Sequence, residues 1–262
     1  MNLRLFSILT IVLFILSSGI SAAEINHASS AKTVERKVVP SQQTMTHPDP
    51  SADVSMPEII KLGENQFQIG KIVLDKKDHS IDINGKVNMS SGMVEYIACT
   101  AYGKLHESVL VLDAEPYHIQ VALLLLGLKP GDHPIDFQGA PQKPCGAPVR
   151  ILISWQAEGK AEEYPLETVL FYNASQNIME STDWVFTGSQ FLNGKYQAQV
   201  EGSIIASYHD PVAIIDHRSD TGTDDTLYQV NHSVVPAAGT PVSVKIYPVT
   251  DSAVITRTRC GN

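Results

Sequence analysis

His106-Glu107 is the residue pair in this chain whose types best suit chemistry. Neutral imidazole and carboxylate both ligate divalent ions, and His118 and Glu95 are close enough in sequence to join them. A metalloprotease helix would need a second histidine four residues after His106. That position holds Leu110, so the zincin reading fails. Two readings remain: a metal site built from His106, Glu107 and His118, with Glu95 converging on it, or a hydrogen-bonded histidine beside a solvated glutamate. The acidic run from Asp216 to Asp225 is a second candidate. Asp216, Asp220, Asp224 and Asp225 offer hard oxygen ligands for calcium. The EF-hand order is absent, however, and the same composition suits a solvated turn.

Other chemistries lack their parts. No Gly-x-Ser-x-Gly elbow occurs, and Ser189 after Gly188 lacks the second glycine. Cys99 lies in an apolar run that disfavours a thiolate. Neither a phosphate loop nor a dinucleotide glycine pattern is present, so no cofactor is expected. Trp155, Tyr164, Phe171, Tyr172, Trp184, Phe186, Phe191 and Tyr196 crowd the middle third. Exposed, they would stack on a sugar or line a peptide groove; buried, they are core, and their alternation with polar residues favours core.

The elements that must position these residues are mostly short strands. Phe67 to Leu74, Ile81 to Val87, Met93 to Cys99 and Ser108 to Leu112 (SVLVL) read as strands, with Asn84-Gly85 as a hairpin-type turn inside the second. One helix follows, near residues 114–127. Asp113 is placed to cap it, Pro116 suits its first turn and Gly127 its end. Its run Val121 to Leu126 leaves no polar face, which predicts burial. Val149 to Trp155 alternates as a strand, and Glu158-Gly159-Lys160 as a turn. Leu166 to Tyr172, Trp184 to Phe186, Tyr196 to Val200, Ser203 to Ser207, Val212 to Asp216 and Val242 to Ile246 continue the β pattern. The fold class is α+β and β-rich, with many short, mainly antiparallel strands and one buried helix. Glycine and valine landmarks in residues 66–112 and 184–231 recur at a nearly constant offset, which predicts two related β units with the helix inserted in the first.

Ahead of these elements, Arg4 and the apolar run Leu5 to Leu16 precede Ser21 and Ala23, placed as a cleavage site. This predicts a signal peptide over 1–23, and hence a periplasmic or secreted protein. Residues 24–56, mixed in Ser, Thr, Gln, Lys and Pro without a period, read as a disordered tether. A β-rich domain spans 57–250, and 251–262 forms a C-terminal tail. No later run approaches the ~20 apolar residues of a spanning helix, so no membrane span is expected after signal removal. The net charge of −9 repels phosphate backbones and excludes nucleic acid as a partner. Cys99, Cys145 and Cys260 allow one disulfide in an oxidising compartment. All three pairings stay open, with a preference for Cys99–Cys145 because both flank strand-like runs.

Six ordered segments carry a resemblance: HESVLVLDAEP (106–116), LLLLGLKPG (123–131), GAPVRILISW (146–155), DWVFTGSQF (183–191), HDPVAIID (209–216) and GTPVSVKIYP (239–248). Together they resemble the YdjY domain family over roughly residues 57–250. The resemblance implies an exported bacterial domain whose biochemical role is unassigned, and it carries over no catalytic residue. A ferredoxin-like label sometimes accompanies the name. Iron–sulfur ligation needs four closely spaced cysteines, and three distant ones do not provide it. The expected function is an exported binding or assembly module for an extracytoplasmic protein or small ligand, without chemistry of its own. The alternative is a metal-binding enzyme or redox accessory protein using His106, Glu107 and His118.

Overall fold

The computed structural model describes Val54 and residues 56–157 and 159–260. The expected signal peptide, nearly all of the expected tether, and Glu158 of the expected turn lie outside them. Among the described residues, no helix is long and apolar enough to cross a membrane.

The first strands are β1 (Ile59–Lys61), β2 (Gln66–Ile69), β3 (Ile72–Asp75) and β4 (Ser80–Val87). β5 (Tyr96–Cys99) and β6 (Ser108–Leu112) precede helix α1 (Pro116–Leu125). Next come β7 (Ala147–Ala157), β8 (Lys160–Pro165), β9 (Leu170–Tyr172), β10 (Asn177–Ile178) and β11 (Trp184–Phe186). The small hairpin β12 (Phe191–Leu192) and β13 (Lys195–Tyr196) leads into α2 (Gln197–Glu201). β14 (Ser203–Ala206), β15 (Ile215–His217), β16 (Tyr228–Val230), β17 (Pro241–Pro248) and α3 (Ser252–Thr258) complete the chain. The protein is α+β and β-rich, as the sequence predicts.

The main sheet closes on itself. β4, β17, β7, β11, β15, β14, β5 and β6 are hydrogen-bonded in that order, and β6 pairs back to β4. Closure leaves these eight strands without a free edge, the usual way a sheet avoids uncontrolled pairing. Most pairs are antiparallel; β5–β6 and β14–β15 are parallel. The strand β4 shows how closure is achieved. One of its edges pairs with β17, while the other pairs first with β3 and then, from Gly85 on, with β6. Asn84-Gly85 is therefore not a turn. Gly85 stands where β6 presses in: a β-carbon there would lie 2.5 Å from the Val111 carbonyl oxygen. The Asn-Gly hairpin turn is Asn193-Gly194, between β12 and β13, with both residues at positive φ (53° and 78°).

Burial follows the pleat on one side of this ring and not on the other. Val149, Ile151, Ile153 and Trp155 in β7 and Val242, Val244 and Ile246 in β17 are buried alternately. β5, β6, β14 and β15 are buried along their whole length, as expected of parallel pairs covered on both faces.

Helix α1 lies inside the predicted 114–127 but starts two residues later, at Pro116, because Glu115, not Asp113, is its N-cap. Asp113 instead accepts from Lys71 Nζ at 2.5 Å. At the far end, Gly127 (φ +83°) donates its N–H to Leu124 and Leu128 donates to Leu123, a Schellman closure. The helix is buried through Ile119–Leu123 and open at Leu124 and Leu125, which are 45% and 50% exposed. The strand expected over Tyr196–Val200 is instead α2: Ala198 N–H caps onto Ser189 Oγ at 3.0 Å, and Gly202 ends the turn at φ +71°. Leu166–Val169 is a 3-10 turn ahead of β9.

Three further expectations are revised. The disulfide joins Cys145 to Cys260, with Cα atoms 5.0 Å apart, and Cys99 is a buried free thiol. Cys99 belongs to β5, which β14, β15 and β11 separate from β7, the strand that follows Cys145. Burial pushes the Cys99 thiol up to about 11. The proposed repeat also lacks a common topology. β5 and β6 are parallel neighbours in the main ring, whereas β15 lies in that ring and β16 pairs with β9 in a separate three-stranded sheet. The segment read as a tail holds α3, capped by Asp251 through Ala253 N–H at 2.8 Å and stapled by Cys260.

Candidate functional site

The residues expected to hold a metal are placed apart. His106 sits on a single 3-10 turn before β6, 81% exposed, with Nε2 3.4 Å from Glu107. His118 is on α1, with its ring against Gly70 in the β2–β3 turn. Burial pulls the His118 imidazole below its ordinary value, opposed by the Glu115 charge. Glu95 accepts from Gln138 Nε2 at 2.9 Å, and burial raises its carboxyl with help from Glu107 and Asp225. These residues do not form a converging set of ligands among the described residues. The acidic run does not converge either. Asp216 is buried in β15, Asp220 reaches out to Lys143 at 3.2 Å, and Asp224 accepts from Thr226 N–H and hydroxyl at 2.9 and 2.6 Å.

Ionisable groups converge instead where the parallel pair β14–β15 ends. The connection between these strands carries His209-Asp210, and β15 ends Asp216-His217. All four side chains are buried. His209, Asp216 and His217 each place one ligating atom within 4.8 Å of the other two. Asp216 accepts the backbone N–H of Asp210 (3.0 Å) and of His217 (2.7 Å). Its carboxyl is held well above the ordinary value by burial, against those two N–H donors. His217 donates from Nε2 to the Ser207 carbonyl (2.8 Å), which leaves Nδ1 to accept from Ser219 N–H (3.3 Å). Burial and the nearby His209 ring bring the His217 imidazole down to about 3, so this ring is neutral. His209 Nδ1 faces the Ala140 carbonyl (3.3 Å), and its Nε2 is buried without a hydrogen-bond partner, 4.0 Å from Asp216 Oδ1. Gly222 is stacked so closely on that ring that a β-carbon would overlap Cδ2 and Nε2.

Asp210 turns the other way. It accepts from Tyr96 Oη at 2.6 Å and from Val212 N–H at 2.9 Å, with Lys104 Nζ 3.9 Å off. Lys104 also donates to Tyr96 Oη, and burial beside the Asp210 charge pushes the Tyr96 phenol far above its ordinary value.

On the outer side of the same loop lies an open cleft of about 380 Å³. Tyr172 and Tyr228, ring centres 5.4 Å apart, form one wall. Ser219 and Thr221 come from the segment that also encloses His217, and Thr221 Oγ1 lies 2.7 Å from Tyr228 Oη. Arg257 on α3 grips Asp183 through Nε (2.5 Å) and Nη2 (2.6 Å). Arg218 donates to the Pro144 carbonyl at 2.5 Å and has no carboxylate within 4.0 Å among the described residues. Glu180, Ser181 and Thr182 complete the rim. Of the clustered aromatics, only Tyr172 reaches this cleft; Trp184, Phe186 and Tyr196 are core, and Trp155 stacks on Tyr164 at 4.8 Å.

Sequence reasoning passed over His209 and His217. The signal was present in HDPVAIIDH, two His/Asp pairs bracketing a short apolar run. An apolar connection that brings both pairs back to one point is what a parallel strand crossing supplies.

Comparison with known proteins gives one match. Neither a curated protein nor a solved structure matches the chain. The YdjY domain model matches residues 72–247, from β3 to the penultimate residue of β17, and so takes in the whole eight-stranded ring, the buried His/Asp cluster and most of the cleft wall. The chain belongs to the YdjY domain family.

Proposed function

We propose that this chain is an exported binding module and that its ligand is a small polar molecule bearing an acidic group, held in the cleft between Tyr172, Tyr228 and α3. Arg218 carries the reading. It is a guanidinium at a half-buried cleft wall with a carbonyl partner and, among the described residues, no carboxylate within 4.0 Å; the nearby Asp183 is engaged directly by Arg257. A planar guanidinium so placed favours a bidentate carboxylate or phosphate group. The hydroxyls of Ser181, Thr182, Ser219 and Thr221 suit a hydroxylated body, and the tyrosine rings an apolar sugar face. The leader of residues 1–23 and the Cys145–Cys260 disulfide both support an oxidising, extracytoplasmic setting.

Calorimetric titration of the purified, disulfide-intact protein tests this, with glucuronate, glucose and inorganic phosphate as probes. Glucuronate or phosphate is expected to bind saturably and glucose at least about tenfold more weakly, a difference of about 1.4 kcal/mol. Arg218→Ala is expected to remove that preference. Equal binding of glucuronate and glucose, or no binding of any probe, rejects the reading.

A further inference from the structure

We infer that His209, Asp216 and His217 form a buried structural site for a divalent transition metal of the zinc class. Each imidazole already has one nitrogen held by a backbone carbonyl: His217 Nε2 by Ser207, and His209 Nδ1 by Ala140. That is the outer-shell arrangement which fixes the tautomer of a ligating histidine and aims its other nitrogen at a metal. The nitrogens so aimed are the ones poorly served by protein. His209 Nε2 is fully buried and has no hydrogen-bond partner, and His217 Nδ1 has only the long contact from Ser219 N–H. A buried polar atom left without a partner costs roughly 1–3 kcal/mol, and among the described residues His209 Nε2 is the one nitrogen so left, the others being hydroxyl oxygens.

The spacing admits a single ion after a small closure. One ligating atom from each residue lies within 4.8 Å of the other two, and His209 Nε2 and Asp216 Oδ1 are 4.0 Å apart. Tetrahedral ligands at about 2.0–2.2 Å from an ion stand roughly 3.4 Å from each other, so binding draws His209 Nε2 and Asp216 Oδ1 together by several tenths of an ångström. Charge points the same way. Asp216 is wholly buried and, among the described residues, accepts two backbone N–H groups and has no lysine or arginine within 4.0 Å, while Lys104 is directed to Asp210 and Glu201. A dication supplies the missing opposite charge. Two imidazoles and one carboxylate suit zinc-like ions better than calcium or magnesium, which prefer all-oxygen sets. None of the three residues is more than 1% exposed, so no substrate reaches the ion, and its role is to tie the β14–β15 connection, through His209, to the end of β15, through Asp216 and His217. The inference does not rest on the cleft ligand, because no cleft residue is a ligand.

Equilibrium dialysis of the chelator-treated, disulfide-intact protein against Zn²⁺ provides the test. Stoichiometric zinc is expected in the wild type and in His106→Ala. Losing an outer-shell partner alone weakens a site about 10–100-fold, so His209→Gln is expected to bind at least about tenfold more weakly. Substoichiometric uptake by the wild type, uptake unchanged in His209→Gln, or uptake lost in His106→Ala overturns the proposal. Should His209→Gln fail to fold, the imidazole ¹⁵N spectrum of the wild type decides. Zinc must shift two solvent-protected histidines; a shift confined to exposed ones overturns it.

Discussion

The two sides of the closed ring solve the same packing problem differently. β4, β17 and β7 are antiparallel and bury alternate residues, so each strand satisfies its backbone laterally and shows one face to solvent. β5, β6, β14 and β15 include both parallel pairs and are covered on both faces. Parallel strands need a crossover connection rather than a tight hairpin, and the connections have to go somewhere. Here the β14–β15 connection folds back over the strand ends and carries His209 and Asp210 inside with it. The consequence is visible in the buried polar atoms that lack a hydrogen-bond partner among the described residues. Thr100, Ser203, Ser207 and His209 belong to the doubly covered side, and Ser80 alone to the alternating one. Regular pairing leaves little polar chemistry inside, whereas the crossover concentrates it.

The largest test of this contrast is steric. Gly222→Val drives a branched side chain into the buried His209 ring from backbone that donates to the Ser219 carbonyl and accepts from His209 N–H. We expect a loss above about 4 kcal/mol, in the range reserved for disrupted buried networks. Ile153→Ala in β7 removes a buried side chain from the regular side and is expected to cost about 2–5 kcal/mol while the fold survives. Urea unfolding of both variants measures the difference. A mild Gly222→Val alongside a severe Ile153→Ala would reverse the contrast.

The staple comes next. α3 packs on β7, and Cys260 ties its end to Cys145 across 115 residues of sequence. Replacing both cysteines with serine is expected to cost about 2–4 kcal/mol in the same assay. An unchanged midpoint would show that α3 is held by packing alone.

The smallest effect is electrostatic. Hydrogen bonds from Arg257 hold the Asp183 carboxyl below its ordinary value of 3.8, against partial burial. A depressed carboxylate stabilises the fold above its unfolded value, and that contribution is lost as pH falls through the lower, folded value. Wild type is therefore expected to exceed Asp183→Asn in urea midpoint near neutrality, and the gap to close below pH 3.8. A gap that persists in acid would assign the difference to packing.

The sequence by itself determined the β-rich class, the position and the C-terminal end of α1, and the alternating strands β7 and β17. Each of these is written locally, in a two-residue or 3.6-residue period and in Pro116 and Gly127. Local signals failed where distant chain decides. Asn84-Gly85 and Asn193-Gly194 are the same dipeptide, yet the first is strand because β6 and β17 flank it, and the second is a turn because β12 and β13 are free to fold together. Likewise Cys145 meets Cys260 only because α3 returns to β7, and His209 meets Asp216 and His217 only because a parallel crossing brings a chain back to its own strand end. Propensity acts over a few neighbours; convergence of side chains is a property of the closed sheet, and only the tertiary structure could decide it.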